Sequence, residues 1–223
     1  MLLQAKNIVK TFKSNKTDEL VIFKDLYLEV KHEKIITIYG PSGVGKSTLL
    51  NLLGTVDTPN SGSVQLNELI YSKETYQVLR KKYISYMFQF HYLLPEFTVY
   101  ENLEIALMIK DIKKQTLKSK ITETLERFGI ADKTNSYPHQ LSGGEKQRVS
   151  LARAVVSDPL VVLADEPTGN LDHENSIRIS SEIKKISIES GIVFIIASHD
   201  TIFKNISDKV CEIKNFNIYD INE

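Results

Sequence analysis

The chain has one cysteine, Cys211, no excess of either charge, and no apolar run approaching membrane-spanning length. A single cysteine excludes an intrachain disulfide and by itself makes neither a metal site nor a nucleophile, so ordinary packing is its expected role. The 28 Lys and Arg balance the 28 Asp and Glu. There is thus no global basic field of the kind that drives binding to nucleic-acid phosphates, and no nucleic-acid partner is expected. The most apolar stretches, residues 160–164 and 192–197, fall far short of the roughly 20 residues a membrane helix needs. Any membrane role must come through a partner. Residues 1–10 lack the apolar core and small-residue cleavage site of a secretion signal, which predicts a cytosolic chain. No internal repeat, low-complexity tract or Pro- and Ser-rich linker divides the sequence. Its 223 residues suit one domain with an inserted subdomain, or at most two small domains.

What is present begins at Gly40-Pro41-Ser42-Gly43-Val44-Gly45-Lys46-Ser47, a G-x-x-x-x-G-K-S string between an apolar run at 35–39 and a helical pattern at 48–53. A strand before and a helix after, opening at Thr48, supply the geometry a phosphate loop requires. Glycines let successive backbone N–H groups curl around a phosphate, and the helix N-terminus adds unpaired donors and the positive end of its dipole. Lys46 is expected to reach the β and γ phosphates and the Ser47 hydroxyl to ligate Mg²⁺. The segment predicts a nucleoside triphosphate as ligand.

Four apolar runs end in polar or glycine-rich residues: 35–39 at Gly40, 83–88 at Gln89, 160–164 at Asp165-Glu166, and 192–197 at Ser198-His199. Three of them show no polar alternation, as expected of strands covered on both faces, and their spacing leaves room for helices. This predicts a parallel α/β sheet, in which ligands bind beyond the carboxyl ends of the strands, so the four ends point to one site. Successive strand residues face opposite ways, so Asp165 is expected to hold the metal while Glu166 orients and deprotonates the attacking water. The plain alternative is an acidic pair in a solvated turn before Pro167. His199 is expected to hydrogen-bond the γ-phosphate or the water, and Gln89 to ligate Mg²⁺ and contact the attacking water. Their alternatives are a structural histidine and a solvated loop glutamine. His32, His91, His139 and His173 read as structural or surface residues.

A second helix tip stands at residues 141–148, Leu-Ser-Gly-Gly-Glu-Lys-Gln-Arg, with a helix predicted to run to about Ser157. Ser142 and Glu145 have the spacing of a capping box. Capping does not explain Gly143 and Gly144, each of which costs about 1 kcal/mol of helix propensity, whereas a ligand approaching the backbone closely would. Val149, Ala152 and Val156 form a predicted buried stripe. No lysine or metal set accompanies this tip, so it is expected to serve the nucleotide of another chain.

Along essentially its whole length the sequence resembles the nucleotide-binding subunits of ABC transporters. The phosphate loop, LSGGEKQR at 141–148, LADEPTGNLD at 163–172 and SHD at 198–200 occur in that family's order. The resemblance implies an α/β fold: a P-loop NTPase (RecA-like) parallel-sheet core with an N-terminal antiparallel β portion and an inserted helical subdomain. One ABC ATPase domain then spans 1–223, with its core at 1–88 and 158–223 and the subdomain at about 89–157. ATP and Mg²⁺ are the implied cofactors. A second copy of the chain is an implied partner, in a head-to-tail dimer where the tip at Ser142, Gly143, Gly144 and Glu145 contacts the γ-phosphate held by the other subunit. Glu166 becomes the catalytic base and His199 the switch histidine, and Asn170-Leu171-Asp172 becomes the loop crossing the interface. Gln89 becomes the γ-phosphate sensor that rotates the subdomain. Phe12 falls where the family usually places an adenine-stacking aromatic, more often tyrosine; a core phenylalanine on an edge strand is the other reading. Within the subdomain Leu103, Leu107, Leu117, Ile121, Leu125 and Phe128 are predicted core, with Gly129 as a helix cap.

Residues 89–98, Gln-Phe-His-Tyr-Leu-Leu-Pro-Glu-Phe-Thr, look like the corresponding stretch of the lipoprotein-releasing ATPases of Gram-negative bacteria. This implies an ATP-hydrolysing subunit at the cytoplasmic face of the inner membrane that drives integral permease subunits. The macrolide-export and cell-division ATPases share LADEPTGNLD and Val99-Tyr100-Glu101-Asn102, so an ATPase acting by transmembrane signalling is the alternative. An ABC ATPase acting on DNA or ribosomes predicts a coiled-coil insertion, a second cassette or a basic stripe. The sequence has neither of the first two, and its balanced charge argues against the third. Phe90, Tyr92 and Phe97 read equally as the apolar part of a permease-docking groove or as subdomain core.

Overall fold

The computed structural model describes residues 1–13, 19–89, 92–169 and 171–221, so Phe90, His91 and Asn170 lie outside the described residues. Strands β1 (Leu3–Lys13) and β2 (Glu19–Val30) pair antiparallel from Leu3 opposite Val30 to Lys13 opposite Glu19. With β4 (Ser61–Leu66) and β5 (Leu69–Ile70) they make a four-stranded sheet in the order β2-β1-β4-β5. Leu3, Ala5 and Ile8 of β1 and Leu26, Leu28 and Val30 of β2 are buried, which is the inward side expected of a half-buried sheet.

The second sheet runs β10-β9-β3-β8-β7-β6. It comprises β3 (Ile35–Tyr39), β6 (Ile84–Met87), β7 (Val161–Asp165), β8 (Val193–Ser198), β9 (Lys209–Lys214) and an antiparallel edge strand β10 (Asn217–Asp220). From β9 to β6 every pairing is parallel. Both faces are covered. Val161, Leu163, Val193 and Ile195 pack with Leu49, Leu50, Leu52 and Leu53 of helix α1 (Lys46–Leu53) and with the first sheet, while Val162, Ala164, Phe194 and Ile196 pack against the helices opposite. Two-sided cover explains the unbroken apolar runs.

A single turn, α2 (Tyr76–Val78), leads through a wide turn, Leu79–Tyr83, into β6. Between β6 and β7 the chain forms α3 (Val99–Ile109), α4 (Lys114–Arg127) and α5 (Gly143–Val155). After β7 comes α6 (His173–Ser190). Thr98 and Glu101 close a capping box on α3, with the Glu101 carboxylate accepting from Thr98 N at 2.7 Å. Gly129, at φ +60°, ends α4 in the left-handed conformation that favours glycine. Every residue predicted for the helical core, from Leu103 to Phe128, is buried, as are Val149, Ala152 and Val156. Element limits differ by a residue or two. The ladder continues through Asp165, opposite Ala197, and Ser198, opposite Tyr39, so both residues close their strands instead of following them. Tyr83 belongs to the wide turn, and α5 stops at Val155 with Val156 as its cap. Among the described residues no helix is long and apolar enough to cross a membrane.

Candidate functional site

The parallel strands bring their carboxyl ends together at the loop between β3 and α1. Gly45 has φ +111°, and a Cβ there would lie 2.7 Å from Ile22 Cγ2 of β2. Only glycine fits both the angle and the contact, and it lets α1 begin at Lys46, two residues before the apolar pattern. Val44 N donates to Pro41 O at 3.4 Å, and the Val44 side chain fills the space beside Gly40. The loop encloses a cavity of about 260 Å³ bounded by Ser42, Gly43 and residues 45–48, with Ile22 and Gln89 on its other sides. Gln89, at the exit of β6, therefore reaches the same space as Lys46, Ser47 and Thr48.

Lys46 is 6% exposed and donates from Nζ to Gly40 O at 2.8 Å and Pro41 O at 3.3 Å. The same ammonium lies 3.3 Å from Glu166 Oε1. Glu166, 8% exposed, accepts through Oε2 from Ser198 Oγ at 3.3 Å and lies 3.0 Å from His199 Nδ1. The solvated-turn reading of this carboxylate is thereby excluded. Its backbone sits at φ +44°, a left-handed conformation that a glutamate holds only when the surroundings enforce it. Here Glu166 N donates to Ala197 O at 2.8 Å and Gly169 N donates to Glu166 O at 2.9 Å.

Burial raises the Asp165 carboxyl above the usual carboxylate range, against the opposing effect of a hydrogen bond from Ser47. Its Oδ1 is buried with no hydrogen-bond partner. An orphaned oxygen on a carboxylate that also accepts from the Ser47 hydroxyl is a donor set for a hard cation that takes oxygen ligands. Among the described residues no group of three or more His, Cys, Asp or Glu surrounds a common point. Mg²⁺ is commonly held by one or two carboxylates together with phosphate oxygens and water. The His199 ring is 66% exposed and faces Glu166; it is not part of the wall of the phosphate cavity.

Phe12 stands at the outer end of β1, 41% exposed, with Lys10 Nζ 4.7 Å from its ring centre. The core reading of this residue fails. Its strand neighbour Thr11 pairs with Val21, next to Ile22 of the cavity wall, so the ring lies on the hairpin that borders the loop.

Ser142 caps α5, accepting from Glu145 N at 3.3 Å, while the Glu145 carboxylate accepts from Ser142 N at 2.8 Å. Those bonds hold the Glu145 carboxyl below its ordinary range, with Lys133 adding to the effect. A Cβ at Gly143 would meet nothing within 4 Å, but one at Gly144 would lie 2.9 Å from Asn175 Oδ1. Open approach accounts for the first glycine, and packing within the chain for the second. None of residues 142–145 borders the chain's own phosphate cavity. Asp172 caps α6, accepting from Asn175 N at 2.8 Å.

The structure gives roles to residues for which sequence reasoning had none. Ser198 holds Glu166 and accepts from Asp200 N at 3.0 Å; Asp200 in turn accepts from Thr168 Oγ1 at 3.1 Å. Gln147 is wholly buried and donates to Pro167 O. Its i, i+4, i+7 spacing with the buried Leu151 and Ala154 was the available signal. His32, His139 and His173 are exposed, and burial pushes the Cys211 thiol up to about 12.

A larger groove of about 420 Å³ opens beside the site, between Tyr86, Phe88, Tyr92 and Leu94 on one side and Ile105, Ala106 and Ile109 of α3 on the other. Arg80, Lys110 and Arg153 border it, and among the described residues no carboxylate does. Burial lowers Lys110 to about 8. Tyr92 belongs to this groove, whereas Phe97 is exposed outside it.

The family described as ABC transporter matches residues 23–169. The lipoprotein-releasing system ATP-binding protein LolD of Saccharophagus degradans is 38% identical over 216 residues, covering 96% of this chain and 94% of its own. LolD of Alcanivorax borkumensis is 40% identical over 206 residues, covering 91% and 90%. Among solved structures, a dimeric post-hydrolysis state of the ATP-binding cassette MJ0796 bound to ADP and Pi superposes with a TM-score of 0.88 at 30% identity, covering 97% of this chain and 96% of that one.

Proposed function

The chain belongs to the ABC transporter family as an ATP-binding, ATP-hydrolysing subunit, and from that premise we propose that it powers release of lipoproteins from the inner membrane through integral permease subunits. The observation that carries the ATPase half is the convergence of Lys46, Asp165 and Glu166 on one glycine loop. The lipoprotein half is supported by LolD relatives matching at 38–40% identity over nearly the full length.

ATP enters with its phosphates in the loop of residues 40–48. Lys46 exchanges the Gly40 and Pro41 carbonyls for β and γ phosphate oxygens, and Phe12 offers its exposed face to the adenine. Asp165 Oδ1, the Ser47 hydroxyl and the Gln89 amide would hold Mg²⁺, which would supply charge neutralisation to the phosphates. Glu166 takes the proton of the attacking water. Ser198 and His199 orient its carboxylate, and His199, facing outward, is free to reach the γ-phosphate as well. The tip at Ser142, Gly143, Gly144 and Glu145, remote from its own cavity, completes the site of a second copy, with Asp172 near the same interface. The dimeric MJ0796 cassette supports that reading.

The apolar groove with its cationic border is the dock for a permease segment carrying an apolar face and an acidic residue. On this reading the chain sits peripherally on the cytoplasmic face of the membrane, and the helical subdomain, residues 89–157, shares the dock with core residues such as Arg80 and Tyr86.

Copurification from detergent-solubilised membranes, followed by reconstitution with the captured permease, tests the proposal. Lipoprotein-release permeases and ATP-dependent release of a lipoprotein from proteoliposomes are expected. Capture of a cell-wall hydrolase activator with no release would replace transport by transmembrane signalling.

A further inference from the structure

Gln147 has no exposed surface, and glutamine is seldom found in that state. Its Nε2 donates to the Pro167 carbonyl oxygen, while its Oε1 is buried without a partner. An apolar side chain of the same length would remove that unsatisfied acceptor but would leave the Pro167 carbonyl without this donor, so what the amide holds is its bond to Pro167 O. That carbonyl belongs to the residue after Glu166, whose own φ of +44° must be held in place from outside.

Apart from the Lys46 ion pair on its carboxylate, the other described restraints on Glu166 and the turn after it come from the sheet, its exit, or the turn itself. Glu166 N bonds Ala197 O of β8, Gly169 N bonds Glu166 O, and Thr168 Oγ1 bonds Asp200 just past β8. Gln147 reaches in from α5, the helix that opens at the Ser142 tip. Gln147 lies five positions along from Ser142, about 7.5 Å of rise at 1.5 Å per residue. Nearer the tip, Gly144 packs against Asn175, which bonds Asp172. Helix α5 therefore bears on the segment following Glu166 at two points.

We infer that Gln147 is a positioning residue: its amide couples the orientation of the Ser142-Gly143-Gly144 helix to the backbone that aims Glu166, so engagement of the tip by a second copy's nucleotide sets the chain's own general base. The inference rests on the roles given above to Glu166 and to the tip. A misplacement of about 1 Å in a catalytic group can cost on the order of 10²-fold in rate, so one hydrogen bond at this point has leverage over turnover without touching the nucleotide.

The test compares Gln147→Met, which keeps the length and removes the donor, with Gln147→Glu and Glu166→Gln, all in the full chain. Nucleotide affinity, KM, kcat and thermal unfolding are measured between pH 6 and 9. Gln147→Met is expected to unfold cooperatively, to bind ATP within about twofold of the parent, and to lose roughly tenfold or more in kcat with KM little changed. For Gln147→Glu the rate relative to the parent rises as pH falls, because only the protonated carboxyl donates to Pro167 O; for Gln147→Met that ratio is flat. Parental kcat in Gln147→Met overturns the inference, as does a flat ratio in Gln147→Glu. Should Gln147→Met fail to fold, the pH series of Gln147→Glu decides alone. A slow Glu166→Gln beside a fast Gln147→Met rejects the coupling only, whereas a fast Glu166→Gln rejects the base and the coupling with it.

Discussion

At the scale of single residues, the site stores two charges against each other. Lys46 and Glu166 are both nearly inaccessible and 3.3 Å apart, and removing one member of such a pair leaves the other buried and uncompensated. Lys46→Ala is therefore expected to abolish measurable ATP binding in a fluorescent-nucleotide titration and to lower the melting temperature of the free chain as well. A variant that binds ATP normally would remove Lys46 from the phosphates. Glu166→Gln keeps the shape and the neighbours but cannot accept the water's proton, so binding persists and turnover slows about 10²-fold or more. At Phe12 the exposed ring is worth roughly 0.5–1.5 kcal/mol of stacking. Phe12→Ala should raise KM for ATP by several-fold while Phe12→Tyr leaves it unchanged; equal KM values in all three proteins would take the ring off the adenine.

Among the elements, α5 and α6 meet across charge that is only partly matched. Glu182 of α6 is pushed up to about 7 by burial, against the opposing pull of Arg148, Arg178 and Lys185. Glu182 Oε2 and Arg148 Nε are both buried without hydrogen-bond partners. The folded state binds this proton more tightly than the unfolded chain does. Its contribution to stability is thus fully present below the ordinary glutamate range and is lost as pH rises toward 7. Glu182→Gln should accordingly raise the melting temperature at pH 8, with the gain shrinking toward pH 5; a gain independent of pH would contradict this. The elements show where sequence reasoning reaches its limit. The Ser142–Glu145 cap was legible because both of its partners lie within one turn. The strands β3, β7 and β8 were legible because burial on two faces leaves unbroken apolar runs. The contacts of Gln147 and Ser198 were not, since their partners Pro167 and Glu166 are 20 and 32 positions away; a helical period can mark Gln147 as buried but not what it holds. The one-residue extension of β7 through Asp165 was hidden for the same reason: it depends on pairing with Ala197.

For the whole molecule, the phosphate cavity and the capped tip open on different parts of one chain, and a cationic groove shares lining residues with neither. The order of motifs made the architecture and the nucleotide readable in advance. The groove was readable only in part, because its wall joins Arg80, Tyr86, Phe88, Tyr92 and Leu94 to α3 and Arg153, and Phe97, a nearby aromatic, falls outside it. Ala106→Arg, which fills the groove and adds a fourth cation, should cut permease copurification severely and leave the free chain's ATPase intact. Phe97→Asp should have the milder effect, and the reverse order would move the dock. The central claim, that ATP is held between the loop of one copy and the tip of another, is tested most directly by differently tagged chains. One carries Ser42→Cys and the other Ser142→Cys, both in a Cys211→Ser background, assembled with the permease. Under ATP-trapping conditions a short thiol cross-linker is predicted to join the two tags covalently, and omission of nucleotide to reduce that product sharply. Failure to join them with ATP bound would contradict the account.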